Sequence, residues 1–284
     1  MFNITLIGCG EAAEALSEPL REQIQGVWDI KLLDDSHGMR QRIESLNMRP
    51  ADSVEDAVSG ADLVISLVTA DQAQPACEAA APHLKKGAVY LECNSCSPGT
   101  KKRNAAIIEQ HGGKLVDVAI MSPVNPARIN TPLLLSGQQA AELCDWLSSH
   151  GYNAKYFASE IGQASAVKMT RSIMIKGMEA LTAECLLTAK KLGIDDTIIA
   201  SLDGSFPGFD WMKRGGYNLE RMAQHGIRRA AEMREVAITV AEAELPNEMT
   251  QATVAWQQRL GELALQVDGE DFTQLSEEIL SRRV

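Results

Sequence analysis

The sequence predicts a doubly wound α/β domain with a mainly parallel sheet, followed by an all-α C-terminal domain. Three observations predict it. Short aliphatic and β-branched runs alternate with helical patterns over residues 1–160. Strand signals then stop near Gly162, and residues 161–284 read as helices alone. The chain has 284 residues, enough for two domains that each bury a core.

The strand candidates run over 3–8, 29–34, 62–68, 88–93, 114–120, 133–136 and 154–157. Helical patterns at 11–24, 72–83 and 100–111 lie between most of them, which implies βαβ crossovers. Beyond Gly162 one long helix is expected over 164–192, with no proline and a single internal glycine, Gly177. Shorter helices are expected over 195–202, 219–242, 250–265 and 272–280.

Apolar residues make up 45% and charged residues 23%, the balance of a globular chain rather than a disordered one. The opening MFNITLIGCG is a short apolar run that meets glycine at once and lacks a basic leader, so a cytoplasmic location and no membrane partner are expected. A net charge of −11 with only brief basic pairs argues against nucleic acid. A local cationic site still leaves room for a small anionic ligand. Six cysteines stand at 9, 77, 93, 96, 144 and 185. Cys93-Asn94-Ser95-Cys96 is a C-x-x-C, but no second ligand pair accompanies it, so no metal site is expected.

Gly8-Cys9-Gly10-Glu11-Ala12-Ala13 fits G-x-G-x-x-A directly after the first strand and at the start of a helix. In that context it is the dinucleotide fingerprint of a Rossmann domain. Gly8 permits the tight turn, Gly10 lets the backbone approach a pyrophosphate, and Ala13 keeps helix and sheet close. Helix-start N–H groups then face the phosphate charge. The stretch DIKLLDD ends in Asp34-Asp35; Asp34, 24 residues past Gly10, is the carboxylate expected to accept hydrogen bonds from the adenosine ribose, and Asp35 is expected to be a solvated loop residue. It also repels a 2′-phosphate, so NAD is expected, with NADP as the alternative offered by Arg40 and Arg42. Val68-Thr69 and Asn94-Ser95 end two further strands and are candidates to line the nicotinamide ribose.

Four segments resemble the β-hydroxyacid dehydrogenases, relatives of 3-hydroxyisobutyrate and 6-phosphogluconate dehydrogenases: GCGEAA at 8–13, ECNSCSPGT at 92–100, DVAIMSPVNPARINTPLLLSG at 117–137 and GQASAVKM at 162–169. The resemblance implies a serine that binds the substrate carboxylate, carried here by Ser122, with the N–H groups of Val124 and Asn125 assisting and Met-Ser-Pro in place of Val-Ser-Gly. It also implies a catalytic lysine in G-x-x-x-x-x-K, the spacing of Gly162 and Lys168. The family's asparagine four residues later is Ser172 here, which leaves the substrate's identity open. A homodimer or larger oligomer follows from the same resemblance.

The residues themselves support the lysine. Ser165, Lys168, Ser172, Lys176 and Glu179 fall at i, i+3 and i+4 intervals, making one polar stripe on an otherwise apolar helix. A lysine at the edge of such a helix is partly desolvated, which lowers its pKa and suits it to proton transfer in an interdomain cleft. Farther on, Arg221, His225, Arg228, Arg229 and Glu232 share a face. Either His225, Arg228 or Arg229 binds an anionic substrate group, or the stripe is intrahelical salt bridging. Asp210-Trp211 precedes this helix, with Trp211 expected to pack.

The expected activity is hydride transfer between a nicotinamide cofactor and a small anionic β-hydroxy acid, with Lys168 as general acid/base and no metal. Three alternatives remain: a 6-phosphogluconate-type oxidative decarboxylase, an imine reductase, and a non-catalytic NAD-binding redox sensor that uses Cys93 and Cys96.

Overall fold

Seven short strands pair in the order β2-β1-β3-β4-β5-β6-β7. They are β1 (Ile4–Ile7), β2 (Ile24–Trp28), β3 (Leu63–Ser66), β4 (Val89–Glu92), β5 (Lys114–Ile120), β6 (Leu133–Ser136) and β7 (Ala154–Ala158). Every neighbouring pair is parallel except β5 with β6. The computed structural model describes residues 2–267 and 269–282, and the chain divides into two units, Met1–Met169 and Thr170–Val284. The first unit carries this sheet and its flanking helices; the second is helical, and the two together are the Rossmann-like and all-α architectures expected.

Alternation places Ile4, Leu6, Leu63, Ile65, Leu91, Val116 and Val118 in one core, and Ile7, Val64, Tyr90 and Leu115 in the other. A central strand with both faces covered reads as a continuous apolar run, and β1 and β3 are buried at every position. The covering helices are α1 (Glu11–Ser17), α2 (Met39–Ser45), α3 (Val54–Val58), α4 (Ala73–Ala80), α5 (Pro98–Gln110) and α6 (Ala140–Ser149).

The second strand corrects the expectation of 29–34. The cause is Pro19. It cannot continue an α-helix, so α1 ends at Ser17 and a 3₁₀ segment over Glu18–Gln23 delivers the chain to β2 early. The strand then ends at Trp28. Residues 30–33 form a further 3₁₀ turn because the Asp29 carboxylate accepts the Lys31 N–H at 3.0 Å.

Helix α7 (Gln163–Leu192) starts in the first unit and continues into the second, which adds α8 (Asp195–Ser205), α9 (Trp211–Glu242), α10 (Glu248–Glu262) and α11 (Phe272–Ser281). Helix α9 starts eight residues before the expected 219. Its first turns contain Gly215 and Gly216, poor helix formers that here clear room for Phe272 and the Glu270 backbone. Leu186, Leu219, Met222, Leu260, Phe272 and Ile279 form the helical core. Among the described residues no helix is long and apolar enough to cross a membrane.

Helices α9 and α10 touch backbone to backbone. A Cβ at Gly226 would lie 2.2 Å from the Gln257 carbonyl oxygen, and one at Gly261 would lie 2.5 Å from the Ile227 nitrogen. Alanine in a helix interior normally gains ~0.5–1 kcal/mol over glycine. Here overpacking, which costs about 1–3 kcal/mol or more, outweighs that gain. We therefore expect Gly226→Ala to lower the melting temperature of the helical unit by on the order of 5 °C. A variant that melts at or above the parent temperature in calorimetry would contradict this packing.

Candidate active site

The parallel strands β1, β3, β4 and β5 end on one edge of the sheet, and of the expected cofactor residues Gly8 to Ala13, Val68, Thr69, Asn94 and Ser95 follow those strand ends. Gly8 leaves β1 with φ +92°, and a Cβ at this position would lie 2.4 Å from the Leu67 carbonyl oxygen, so only glycine fits. Gly10 is the N-cap of α1, has no side-chain cap, and faces open space on the side where a Cβ would project. Ala13 is fully buried under the sheet. Cys9 is also buried, and burial pushes its thiol up to about 11 against the opposing effect of Arg42. Glu11, which would repel a phosphate, accepts a 2.7 Å hydrogen bond from Asn125 Nδ2. Ala12 packs partly buried on the core.

Asp34 is not at the end of β2. It is exposed in a 3₁₀ turn, where the Ser36 hydroxyl and amide hold its carboxyl below the usual range. The strand-end carboxylate is Asp29. Its Oδ2 accepts the Cys9 N–H at 2.8 Å, so one side chain joins the end of β2 to the glycine turn. Asp29 lies 19 residues past Gly10, close to the ~20-residue spacing of the fingerprint acid, and that spacing was the signal for it. Arg42 is committed to the same turn, with Nε on the Cys9 carbonyl at 3.1 Å and its fork on Glu14 at 2.7 Å. Arg40 lies 3.6 Å from Asp52. An open approach above Gly10, uncapped amides and an acid at the end of β2 together fit a nicotinamide dinucleotide.

At the next strand ends, Val68 donates its N–H to Asn94 Oδ1 at 2.7 Å, while Thr69 is exposed. Asn94 is buried and donates Nδ2 to Ser66 Oγ at 3.0 Å. Ser95 is half-buried and meets Lys168: Lys168 Nζ donates to Ser95 Oγ at 2.7 Å. Cys93 and Cys96, on either side, are buried and not joined in a disulfide, and burial pushes the Cys93 thiol up to about 12, far from the reactive thiolate a redox motif needs.

Beneath this edge is a charged cluster that sequence reasoning missed. Lys101, Glu92 and Asp117 are all fully buried, with Lys101 Nζ 3.1 Å from Glu92 Oε2 and 3.2 Å from Asp117 Oδ1. Asp117 accepts from the Ser165 hydroxyl at 2.6 Å and from the Ser165 amide at 3.0 Å. An acid at the end of β4, a second inside β5 and a lysine in the first turn of the helix after β4 were the available signal.

Ser122 is exposed in the segment after β5, its Oγ 3.4 Å from the Pro123 carbonyl oxygen. In the same segment Val124 is buried and Asn125 is exposed.

Four expected substrate residues lie in the helical unit. Ser172 is buried on α7, four residues past Lys168. His225 is half-buried on α9. Arg228 is exposed and pairs with Glu232 at 2.7 Å one turn along, the salt-bridge alternative. Arg229 corrects the substrate-binding expectation. It is buried, its guanidinium pairs with Glu179, and Gln257 Nε2 joins the same carboxylate at 2.9 Å. Lys176 pairs with Glu232; burial pulls its pKa down and Glu232 opposes the shift. The polar stripe of α7 is therefore largely buried and internally paired. Trp211 packs with Phe206 and Phe209, ring centroids 5.9 and 4.6 Å away.

The model of the NAD binding domain of 6-phosphogluconate dehydrogenase matches residues 3–151, more than half of the chain, and that of a domain of unknown function matches residues 189–260. A conserved hypothetical protein from Sinorhizobium meliloti 1021, of known structure, is 32% identical; the match covers 98% of this chain and 96% of that one, with a TM-score of 0.74. The 3-hydroxyisobutyrate dehydrogenase of Mycobacterium tuberculosis, solved with L-serine, shares the fold over 100% of both chains at a TM-score of 0.72 and 14% identity. Human mitochondrial 3-hydroxyisobutyrate dehydrogenase is 23% identical over 59% of this chain, and the match spans 51% of the enzyme's length. The chain belongs to the NAD(P)-binding oxidoreductases of the β-hydroxyacid dehydrogenase superfamily, with an N-terminal domain of the 6-phosphogluconate dehydrogenase type.

Proposed function

We propose that this chain oxidises the hydroxyl of a small β-hydroxy acid, or reduces the matching carbonyl, with Lys168 as general acid/base. The observation that carries this reading is the 2.7 Å hydrogen bond from the half-buried Lys168 amine to Ser95, at the sheet edge that also holds the glycine turn. The bound nicotinamide dinucleotide supplies the hydride acceptor or donor. The backbone of residues 8–13 would hold its pyrophosphate, and Asp29 would accept from the adenosine ribose hydroxyls. Val68, Thr69, Asn94 and Ser95 line the edge beside it. Ser95 orients the Lys168 amine, which takes the hydroxyl proton at Nζ during oxidation and returns it during reduction. Ser122 binds the substrate carboxylate. The mitochondrial 3-hydroxyisobutyrate relatives support a substrate of that chemical class.

Lys168→Ala should lower kcat/KM for a responsive hydroxy acid by about 10²–10⁴-fold, while the Kd for NADH stays within about twofold. Steady-state kinetics and NADH fluorescence titration test this; a variant that retains a tenth of the parent turnover would rule out the lysine mechanism.

The Asp29 carboxylate also sets the cofactor preference, because a 2′-phosphate would meet its charge. Asp29→Asn keeps an acceptor for the Cys9 N–H and removes that charge, so the ratio of NADPH to NADH affinity should rise by about tenfold, which is ~1.4 kcal/mol. An unchanged ratio would remove Asp29 from discrimination.

Helix α7 leaves Met174, Ile175 and Leu181 exposed, an apolar face that supports association of two or more copies. Light scattering at micromolar concentration is expected to give a mass above that of the single chain; a monomer would sink this part of the reading.

A further inference from the structure

The Lys101, Glu92 and Asp117 cluster is costly to bury, since replacing such a network by apolar side chains often leaves a protein equally stable or more so. Its geometry shows what it holds. Burial pulls the Lys101 ammonium toward deprotonation, but Glu92 and Asp117 outweigh that effect and leave it above the usual lysine range. Lys101 therefore stays a cation. It donates to the Glu92 carbonyl at 2.6 Å and contacts both carboxylates.

Each carboxylate carries the contact to a different segment. Glu92 Oε1 accepts the Asn94 N–H at 2.9 Å and also the Asn94 amide side chain, which fixes the turn that presents Ser95. Asp117 accepts both Ser165 donors, and Ser136 Oγ, itself 3.1 Å from Asp117, accepts the Ala164 N–H at 3.0 Å. The first turn of α7 is thereby fastened to β5 and β6. Lys168 follows Ser165 by three residues, the next position on the same helix face.

We infer that Lys101 is a positioning residue for the Lys168 amine: one buried ammonium holds the Ser95 turn through Glu92 and the start of α7 through Asp117. The separation of Lys168 Nζ from Ser95 Oγ is then set by Lys101, which touches neither. The catalytic consequence rests on the proposed role of Lys168, whereas the geometric claim stands apart from it.

The test compares the parent with Glu92→Gln/Lys101→Met and with Ser165→Ala. The double variant removes one charge of each sign, keeps the cluster's net charge, and leaves a glutamine oxygen for Asn94. Ser165→Ala deletes one hydroxyl from the Asp117 arm. Circular dichroism and NADH titration establish folding and cofactor affinity. Acetylation of Lys168 by acetic anhydride, followed by mass spectrometry with the exposed Lys191 as internal reference, reads the amine without turnover.

In the double variant we expect Lys168 to acetylate at least about threefold faster and kcat to fall at least about tenfold, with KM and NADH Kd within about threefold, the pattern of a misplaced catalytic group. Ser165→Ala should move labelling and kcat in the same directions by about twofold or more. A cluster that serves stability alone would lower the melting temperature and leave labelling and kcat per folded molecule at parent values, and that result would overturn the inference. Should the double variant fail to fold, Ser165→Ala decides alone, and parent-like labelling in it is the overturning result. Should the parent oxidise no hydroxy acid, the functional reading falls while the labelling comparison still decides the positioning claim.

Discussion

A single row of in-register partners crosses the sheet: Ile7 beside Ser66, Ser66 beside Glu92, Glu92 beside Asp117, and Asp117 beside Ser136. Partners in register point to the same face, so four polar side chains meet side by side where the flanking rows are apolar. This row is the constraint on which the candidate site depends. A polar row cannot remain buried unless its groups satisfy one another. Ser66 takes the Asn94 amide, Glu92 and Asp117 share Lys101, and Ser136 and Asp117 accept the first amides of α7. The cost of burying the row is met by fastening to it the turn after β4 and the start of α7, the two segments that deliver Ser95 and Lys168.

Much of this architecture was legible in the sequence because local signals and tertiary fold agreed. Six of the seven strands fall where aliphatic runs predict them, and the glycine turn follows the first strand with the right small residues. The exceptions have physical causes. Pro19 ends α1 early and brings β2 forward, which transfers the strand-end position from Asp34 to Asp29. Gly215 and Gly216 are poor helix formers, yet the Leu186 and Phe272 side chains crowd the first and the Glu270 carbonyl crowds the second. Tertiary packing overrides propensity there.

The candidate site was less legible. Lys168 and Ser95 were visible separately, but their 2.7 Å contact depends on strand register, which the sequence alone does not report. Lys101 carried no signal as a single residue, since a lysine in the first turn of a helix normally reaches solvent. The polar stripe of α7 was visible as periodicity, but its burial was not. Ser165, Ser172, Lys176 and Glu179 are buried while Met174 and Leu181 are exposed, which reverses the usual order. The buried polar groups find partners on other elements, Asp117 for Ser165, Glu232 for Lys176, and Arg229 with Gln257 for Glu179. Helical spacing reveals a shared face; which partner that face meets is fixed by elements far away in sequence.

The glycine turn shows the same division between local and distant causes, and it bears on cofactor choice. Gly8 is required by the Leu67 carbonyl just past β3, and the Cys9 amide is held by Asp29 just past β2. Arg42, the cation at the turn, donates to the Cys9 carbonyl and pairs with Glu14, so its charge is compensated within the same turn and helix. Arg40 faces Asp52. The charge left at the end of β2 is that of Asp29. A ribose 2′-hydroxyl can donate to such a carboxylate, whereas a 2′-phosphate would meet a second anion. The preference for NAD over NADP that we propose therefore depends on Arg42 as much as on Asp29: were Arg42 released from Glu14, the turn would carry a cation that this carboxylate no longer offsets.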